Sequence, residues 1–179
     1  MARAANTDLQ PLVTGLHDAF VAGVNKGYED RIKHLTAVRN AIVTYYDEAC
    51  EALAADLGRS STEAKSELQT TLAECDRQIQ GLKSGWMDPE PRRTHLLLAP
   101  AHTEVRREPF GVALVIGPFN YPMNLVLSPL VGALAAGNVV VVKPSELTPM
   151  CEAWFARRLA KALPPKVGQV VRGGAERTA

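Results

Sequence analysis

Between Phe110 and Glu146 the chain reads FGVALVIGPFNYPMNLVLSPLVGALAAGNVVVVKPSE, and this stretch leaves few folds open to it. Val112 to Ile116 is a short unbroken apolar run, rich in β-branched residues and bounded by glycines, the pattern of a parallel strand buried on both faces. The turn Gly117-Pro118-Phe119-Asn120-Tyr121-Pro122 follows. A mostly apolar segment then runs from Leu125 to Ala136, long enough for about three turns of helix, and Gly137-Asn138 closes it. Val139 to Val142 is a second buried strand, leading straight into Lys143-Pro144-Ser145-Glu146. Strand, crossover helix and strand make one βαβ unit, and ligands in such sheets bind beyond the carboxyl ends of the strands. The turns at Asn120 and at Lys143 both fall at that edge.

The first third of the chain reads as helices. Leu9, Leu12, Val13, Leu16 and Phe20 make one apolar stripe. Ile32, Leu35, Val38, Ile42, Tyr46 and Leu53 place a second helix from about Asp30 to Gly58. Ser60 with Glu63 forms a capping box that opens a third, its face carrying Leu68, Leu72, Cys75, Ile79 and Leu82. SGWMDPEPRR, residues 84–93, reads as a loop. Short strands are expected at Leu96 to Leu98 and over the alternating Thr103, Val105 and Arg107. Thr148 as cap and Pro149 as first residue open a helix reaching Leu163. Pro164-Pro165 end it, and Val167 to Val171 makes a third buried strand. The fold class is α/β: helices over residues 1–90, a small β arm over 91–109, and a truncated doubly wound, Rossmann-like domain over 110–179. A parallel sheet built only this far leaves the edge strand Val167 to Val171 unpaired.

Bulk properties narrow the function. A chain of 179 residues with 46% apolar and 22% charged residues buries a real core. A net charge of +1, with both signs interspersed, leaves no electrostatic footprint for nucleic acid. The start, MARAANTDLQ, has no hydrophobic signal core, and no run approaches the roughly 20 apolar residues of a membrane span. Cys50, Cys75 and Cys151 form no CxxC pair, which fits free thiols in a reducing, cytoplasmic setting. His17, His34, His95 and His102 show no HxH or HExxH spacing, so no metal site is expected. Cys50 and Cys75 read as small side chains on amphipathic helices. Cys151 falls in the first turn of a helix, where the macrodipole would lower a thiol pKa.

Four motifs in order, PFGV at Pro109 to Val112, PFNYP at Pro118 to Pro122, AAGN at Ala135 to Asn138 and KPSE at Lys143 to Glu146, resemble the N-terminal part of the NAD(P)-dependent aldehyde dehydrogenases. With Asn-Tyr-Pro in the turn and ALAADLG upstream at Ala52 to Gly58, the chain is most similar to the class 3, fatty-aldehyde branch. The similarity extends from Phe20 to Thr178. The resemblance implies oxidation of an aldehyde to a carboxylic acid with NAD or NADP, through a thiohemiacetal and a thioester. It also implies a homo-oligomer, a dimer, with the β arm and the helices taking part in association. Members of the family are more than twice this length. The glycine-serine turn that meets the cofactor pyrophosphate, the general-base Glu and the nucleophilic Cys all lie beyond the matched segment. The isolated chain is therefore expected to be inactive, and a non-catalytic nucleotide-binding or subunit-association fragment is the alternative.

By the same resemblance Asn120 is the catalytic candidate. Its side-chain amide is a neutral donor suited to the oxyanion that forms when a thiolate adds to a carbonyl. On its residues alone, it reads first as a turn-forming Asn. Lys143 and Glu146, with Ser145 between them, match the residues that hydrogen-bond the adenosine ribose. An acidic group there disfavours a 2′-phosphate, although the class 3 branch uses both cofactors. Ile116, Pro118 and Phe119 match cofactor-lining positions, and by pattern alone they are core residues. Cys151 does not match the nucleophile motif, and no GxGxxG fingerprint occurs.

Overall fold

A computed structural model describes residues 9–174. Expectations for the extreme N-terminus and for the last five residues lie outside that range. Four helices come first: α1 (Gln10–Val21), α2 (Tyr28–Thr44), α3 (Tyr46–Leu57) and α4 (Ser61–Lys83). The single helix expected from Asp30 to Gly58 is divided into α2 and α3 at Tyr45, whose φ of −112° and ψ of 31° leave the helical region. The run Thr44-Tyr45-Tyr46 is β-branched then aromatic, weak in helix propensity. Tertiary contacts take over: the Arg158 guanidinium lies 4.1 Å from the Tyr45 ring centroid, and the Tyr45 carbonyl accepts from Trp154 Nε1 at 3.4 Å. Gly58 ends α3 with a φ of +64°, a left-handed cap that suits glycine. The capping box of α4 is present in both directions, with Glu63 N donating to Ser60 Oγ and Ser60 N donating to Glu63 Oε2.

The arm corrects the sequence expectation. β1 (Glu90–Arg92), inside the segment read as a loop, pairs antiparallel with β2 (Thr103–Val105). A proline is tolerated in such a two-stranded ribbon because both strands are edges. Leu96–Leu98, expected to be a strand, is a turn of 3-10 helix opened by His95, whose Nδ1 accepts from Leu97 N at 3.3 Å. Its three leucines have no facing strand to pack on and are exposed.

The core sheet holds β3 (Val112–Ile116), β4 (Val139–Lys143) and β5 (Gly168–Val170), all parallel, in the order β3-β4-β5. Helix α5 (Asn124–Ala136) crosses from β3 to β4. The second crossover, expected as one helix, is α6 (Pro149–Trp154), a π-helical turn over Phe155–Leu159 and α7 (Ala160–Ala162). The turn brings Trp154 and Phe155 edge to face at 5.4 Å, both fully buried. Alternation along β4 sends Val140 and Val142 into the main core, with α5 and the α2–α4 layer, and sends Val139 and Val141 toward Leu16 of α1. So β4 is buried on both faces, as its four valines require.

β3 is not. It is an edge strand, α1 reaches only its beginning at Val112, and Leu114 and Ile116 stand 56% and 55% exposed. Both outer strands are thus edges, β5 as expected for Val167 to Val171 and β3 as well, and β3 in addition leaves apolar side chains open to solvent.

Candidate functional site

The register places Ile116 opposite Lys143, so β3 and β4 end level and their two turns emerge side by side. Gly117 N donates to the Lys143 carbonyl at 2.9 Å and ties the turns together. A Cβ at Gly117 would come within 2.2 Å of Val126 Cγ2, which is why glycine stands there.

The turn after β3 exposes Pro118, Phe119 and Asn120. The Asn120 carbonyl accepts from Arg59 Nη2 at 2.7 Å, and the same guanidinium lies 4.4 Å from the Tyr121 ring centroid. A shallow cleft beside Asn120 is lined by Leu57, Gly58, Arg59 and Glu63. Helix α5 then begins without a cap of its own: Met123, at the N-cap, supplies no side-chain bond, and the first turn holds no acid. The missing acceptor comes from α4, where Glu67 Oε1 takes Met123 N at 2.9 Å and Asn124 N at 3.0 Å. Glu67 is 4% exposed, and its Oε2 is buried with no hydrogen-bond partner among the described residues. Burial pushes its carboxyl pKa up, against the pull of the two backbone donors and the Arg59 charge. Asn124 Oδ1 is fixed in turn by the hydroxyls of Thr71 and Ser128.

The far end of α5 is held by the opposite charge. Arg31 donates to the carbonyls of Ala135, Asn25 and Lys26, and Asn25 Nδ2 donates to those of Leu134 and Asn138. His34 Nδ1 pairs with Asn25 Oδ1 at 2.9 Å, and burial lowers the His34 pKa. A helix with no charges at its own ends therefore has a carboxylate at its N-terminus and a guanidinium at its C-terminus, both complementing its dipole from other elements.

The turn after β4 is built mainly from itself. Lys143 Nζ is buried and donates to the Pro144 carbonyl (3.0 Å), Glu146 Oε2 (3.0 Å) and the Gly173 carbonyl (2.9 Å), which fills its three donors. Ser145 Oγ accepts from Leu147 N, and its carbonyl accepts from both the amide and the hydroxyl of Thr148. The Thr148 side chain is thus not the helix cap that its position suggested. Asp56 of α3 fills that role, accepting from Met150 N at 3.1 Å and Cys151 N at 2.8 Å. Cys151 also departs from expectation. It is fully buried, and burial first, then the Asp56 contact, raise its thiol pKa instead of lowering it. Cys75 is likewise pushed up to about 12 by burial.

Glu146 is the open group of this turn, with 43% of its side chain exposed. Hydrogen bonds from its own backbone and from Lys143 hold its carboxyl below the ordinary value, so it is an anion at neutral pH. The edge thus presents a half-exposed carboxylate, steadied by a buried ammonium, beside the exposed side chains of Ile116, Pro118 and Phe119. The structure therefore brings all seven residues singled out in the sequence to one edge of the sheet. Arg59, Glu67 and Asp56, which hold that edge in place, were not singled out. The signal for Glu67 was a carboxylate, with Thr71 one turn on, next to the apolar stripe of α4; nothing in the sequence names its partner.

The family model of the aldehyde dehydrogenases matches residues 1–179. The chain belongs to the aldehyde dehydrogenase family. It is 38% identical over 171 residues to an aldehyde dehydrogenase of Craterostigma plantagineum, covering 94% of this chain and 35% of that protein. It is 40% identical over 164 residues to aldehyde dehydrogenase family 3 member B1 of Rattus norvegicus, covering 91% of this chain and again 35% of the relative. A solved structure described as the substrate-bound state of Staphylococcus aureus AldH superposes with a TM-score of 0.92 at 33% identity, over 96% of this chain and 38% of that one. The chain thus spans about a third of the length of the relatives it matches and aligns with the class 3 branch of the family.

Proposed function

We propose that this segment is the N-terminal part of an enzyme that oxidises aldehydes to carboxylic acids with NAD or NADP. The observation that carries the reading is the level ending of β3 and β4, which sets the Asn120 turn and the Lys143–Glu146 turn on one edge. In this reading Asn120 donates its amide N–H to the carbonyl oxygen as that oxygen becomes anionic, without altering the charge of the site. Glu146 accepts from a ribose hydroxyl, and its negative charge weights the choice toward NAD. Lys143 supports Glu146 from beneath rather than reaching the nucleotide freely. Ile116, Pro118 and Phe119 exclude water along the adenosine. When bound, the cofactor supplies the hydride acceptor. The nucleophilic thiol and the general base come from the portion that the longer relatives carry.

The reading includes a cytoplasmic, dimeric enzyme, supported by three free cysteines and by the exposed leucines of the arm. Cell fractionation and sedimentation of the complete protein test it.

The activity test uses the complete enzyme, this segment followed by the catalytic portion of its longer relatives. Asn120→Ala is expected to lower turnover by about a hundredfold or more, the loss typical of an oxyanion donor, with cofactor affinity nearly unchanged. An Asn120→Ala enzyme with normal turnover would overturn the assignment. The 179-residue chain alone should form no NADH from aldehydes, since its cysteines Cys75 and Cys151 are buried thiols of raised pKa. Steady NADH formation that Cys151→Ala abolished would contradict this.

A further inference from the structure

Asn120 lies in a turn that supplies little of its own support. Pro118 and Pro122 have no N–H to donate, the Met123 cap position is bare, and the Asn120 side chain is exposed. Two side chains from outside the sheet occupy the two ends of this turn. We propose that Arg59 and Glu67 are positioning residues for the reaction: together they fix the angle at which the Asn120 amide meets the reacting carbonyl.

Arg59 acts on Asn120 itself. Its Nη2 donates to the Asn120 carbonyl at 2.7 Å, a charge-assisted bond, and its guanidinium plane packs on Tyr121 next in the chain. The backbone from which Arg59 leaves is stiff, because Ser60 immediately after it is half of the α4 capping box. Glu67, two turns further along α4, grips the other end by accepting from Met123 N and Asn124 N with one oxygen. A buried carboxylate whose second oxygen has no partner among the described residues is a costly way to hold a helix, since an apolar residue there would pack without desolvating a charge. Its geometry explains what the cost achieves: both N–H groups converge on Oε1, so the start of α5, and with it the turn, has one orientation. Misplacing a reacting group by about 1 Å is enough to cost roughly a hundredfold in rate. Neither side chain is assigned to touch the substrate; both act through Asn120.

The proposal rests on Asn120 as the oxyanion donor, and the test separates the two. In the complete enzyme, Arg59→Met keeps an aliphatic stem against Tyr121 but removes the donors, and Arg59→Lys restores a cation. Glu67→Leu removes the acceptor, and Glu67→Gln keeps one carbonyl oxygen for both N–H groups. Arg59→Met and Glu67→Leu should each lower kcat by roughly tenfold or more with cofactor Kd unchanged, and the Lys and Gln variants should recover most of the loss. Combined with Asn120→Ala, neither should lower kcat further. Should Glu67→Leu fold poorly, Arg59→Met at the half-buried surface decides. A crippled Asn120→Ala enzyme alongside a fully active Arg59→Met enzyme, or losses that multiply in the double variants, would overturn this proposal alone. An Asn120→Ala enzyme with undiminished kcat would overturn the oxyanion assignment and this proposal with it.

Discussion

The turn after β3 takes its hydrogen bonds from the helical layer, through Arg59 and Glu67, whereas the turn after β4 closes largely on itself, through Lys143, Ser145 and Thr148. The two lie side by side and are tied by the backbone bond from Gly117 to Lys143. The difference follows from what each must present. The β4 turn offers a carboxylate that needs only a steady charge beside it. The β3 turn offers a neutral amide, whose value depends on direction, and a proline-rich loop cannot set that direction from within. The helices α3 and α4 are therefore more than a cover for the sheet. They place one carboxylate under α5 and another under α6.

The contrast can be broken most forcefully at Lys143. Lys143→Met leaves the Pro144 and Gly173 carbonyls without their donor, and a buried acceptor so stranded costs about 1–3 kcal/mol, readable as a lower midpoint in chemical denaturation. Glu146→Ala, which removes only the most exposed of the three Lys143 acceptors, should lower stability by less than Lys143→Met and weaken cofactor binding in the complete enzyme by roughly ten- to a hundredfold, the loss expected for a charged hydrogen bond. If the two variants behaved alike, Lys143 would not be the internal support described here.

A smaller loss is expected at Asp56. Removing this cap by Asp56→Ala should lower stability by about 0.5–2 kcal/mol, as for other helix N-caps, with the far-ultraviolet spectrum of the rest intact. Unchanged stability would show that α6 keeps its start without α3.

How much of this was legible beforehand divides along the same line. The strands β3 and β4, the crossover helix and its glycine cap were all readable, because an apolar run between glycines has few other folds. The Ser60–Glu63 box was readable because both partners lie within one turn. Of the Lys143 turn, apart from the buried bond to Gly173 30 positions away, the polar ending of a buried strand was readable. Features set by long-range contacts were not. The break at Tyr45 depends on Trp154 and Arg158, and the supports of the Asn120 turn depend on pairs separated by 56, 57 and 61 positions. The caps misled for the same reason. Thr148 has the residue type of a cap, but Asp56, 94 positions away from Met150, outcompetes it. Cys151 was misjudged because position in a helix says nothing about burial, and burial decides its pKa. Strand β1 was missed because proline and charge in a short edge ribbon resemble a loop.

The smallest effect concerns pH. Burial holds the His34 pKa below its ordinary value of 6.5, so the folded chain resists protonating it. Stability is then fully present above that value and is lost as pH falls through it, as the unfolded chain takes up a proton first. His34→Gln, which can still pair with Asn25, should flatten the decline in stability between neutral pH and about pH 5. An unaltered slope would assign the decline to other groups.

The central claim is that the Asn120 turn is held from the helical layer, by Arg59 and Glu67, and the Lys143 turn largely by its own residues, and backbone amide hydrogen exchange in the wild-type chain and in Glu67→Leu tests it most directly. Exchange at Met123, Asn124 and the residues just after them should accelerate in the variant, while Leu147 and Thr148 keep their protection. Equal acceleration at both turns, or none at Met123 and Asn124, would contradict the account.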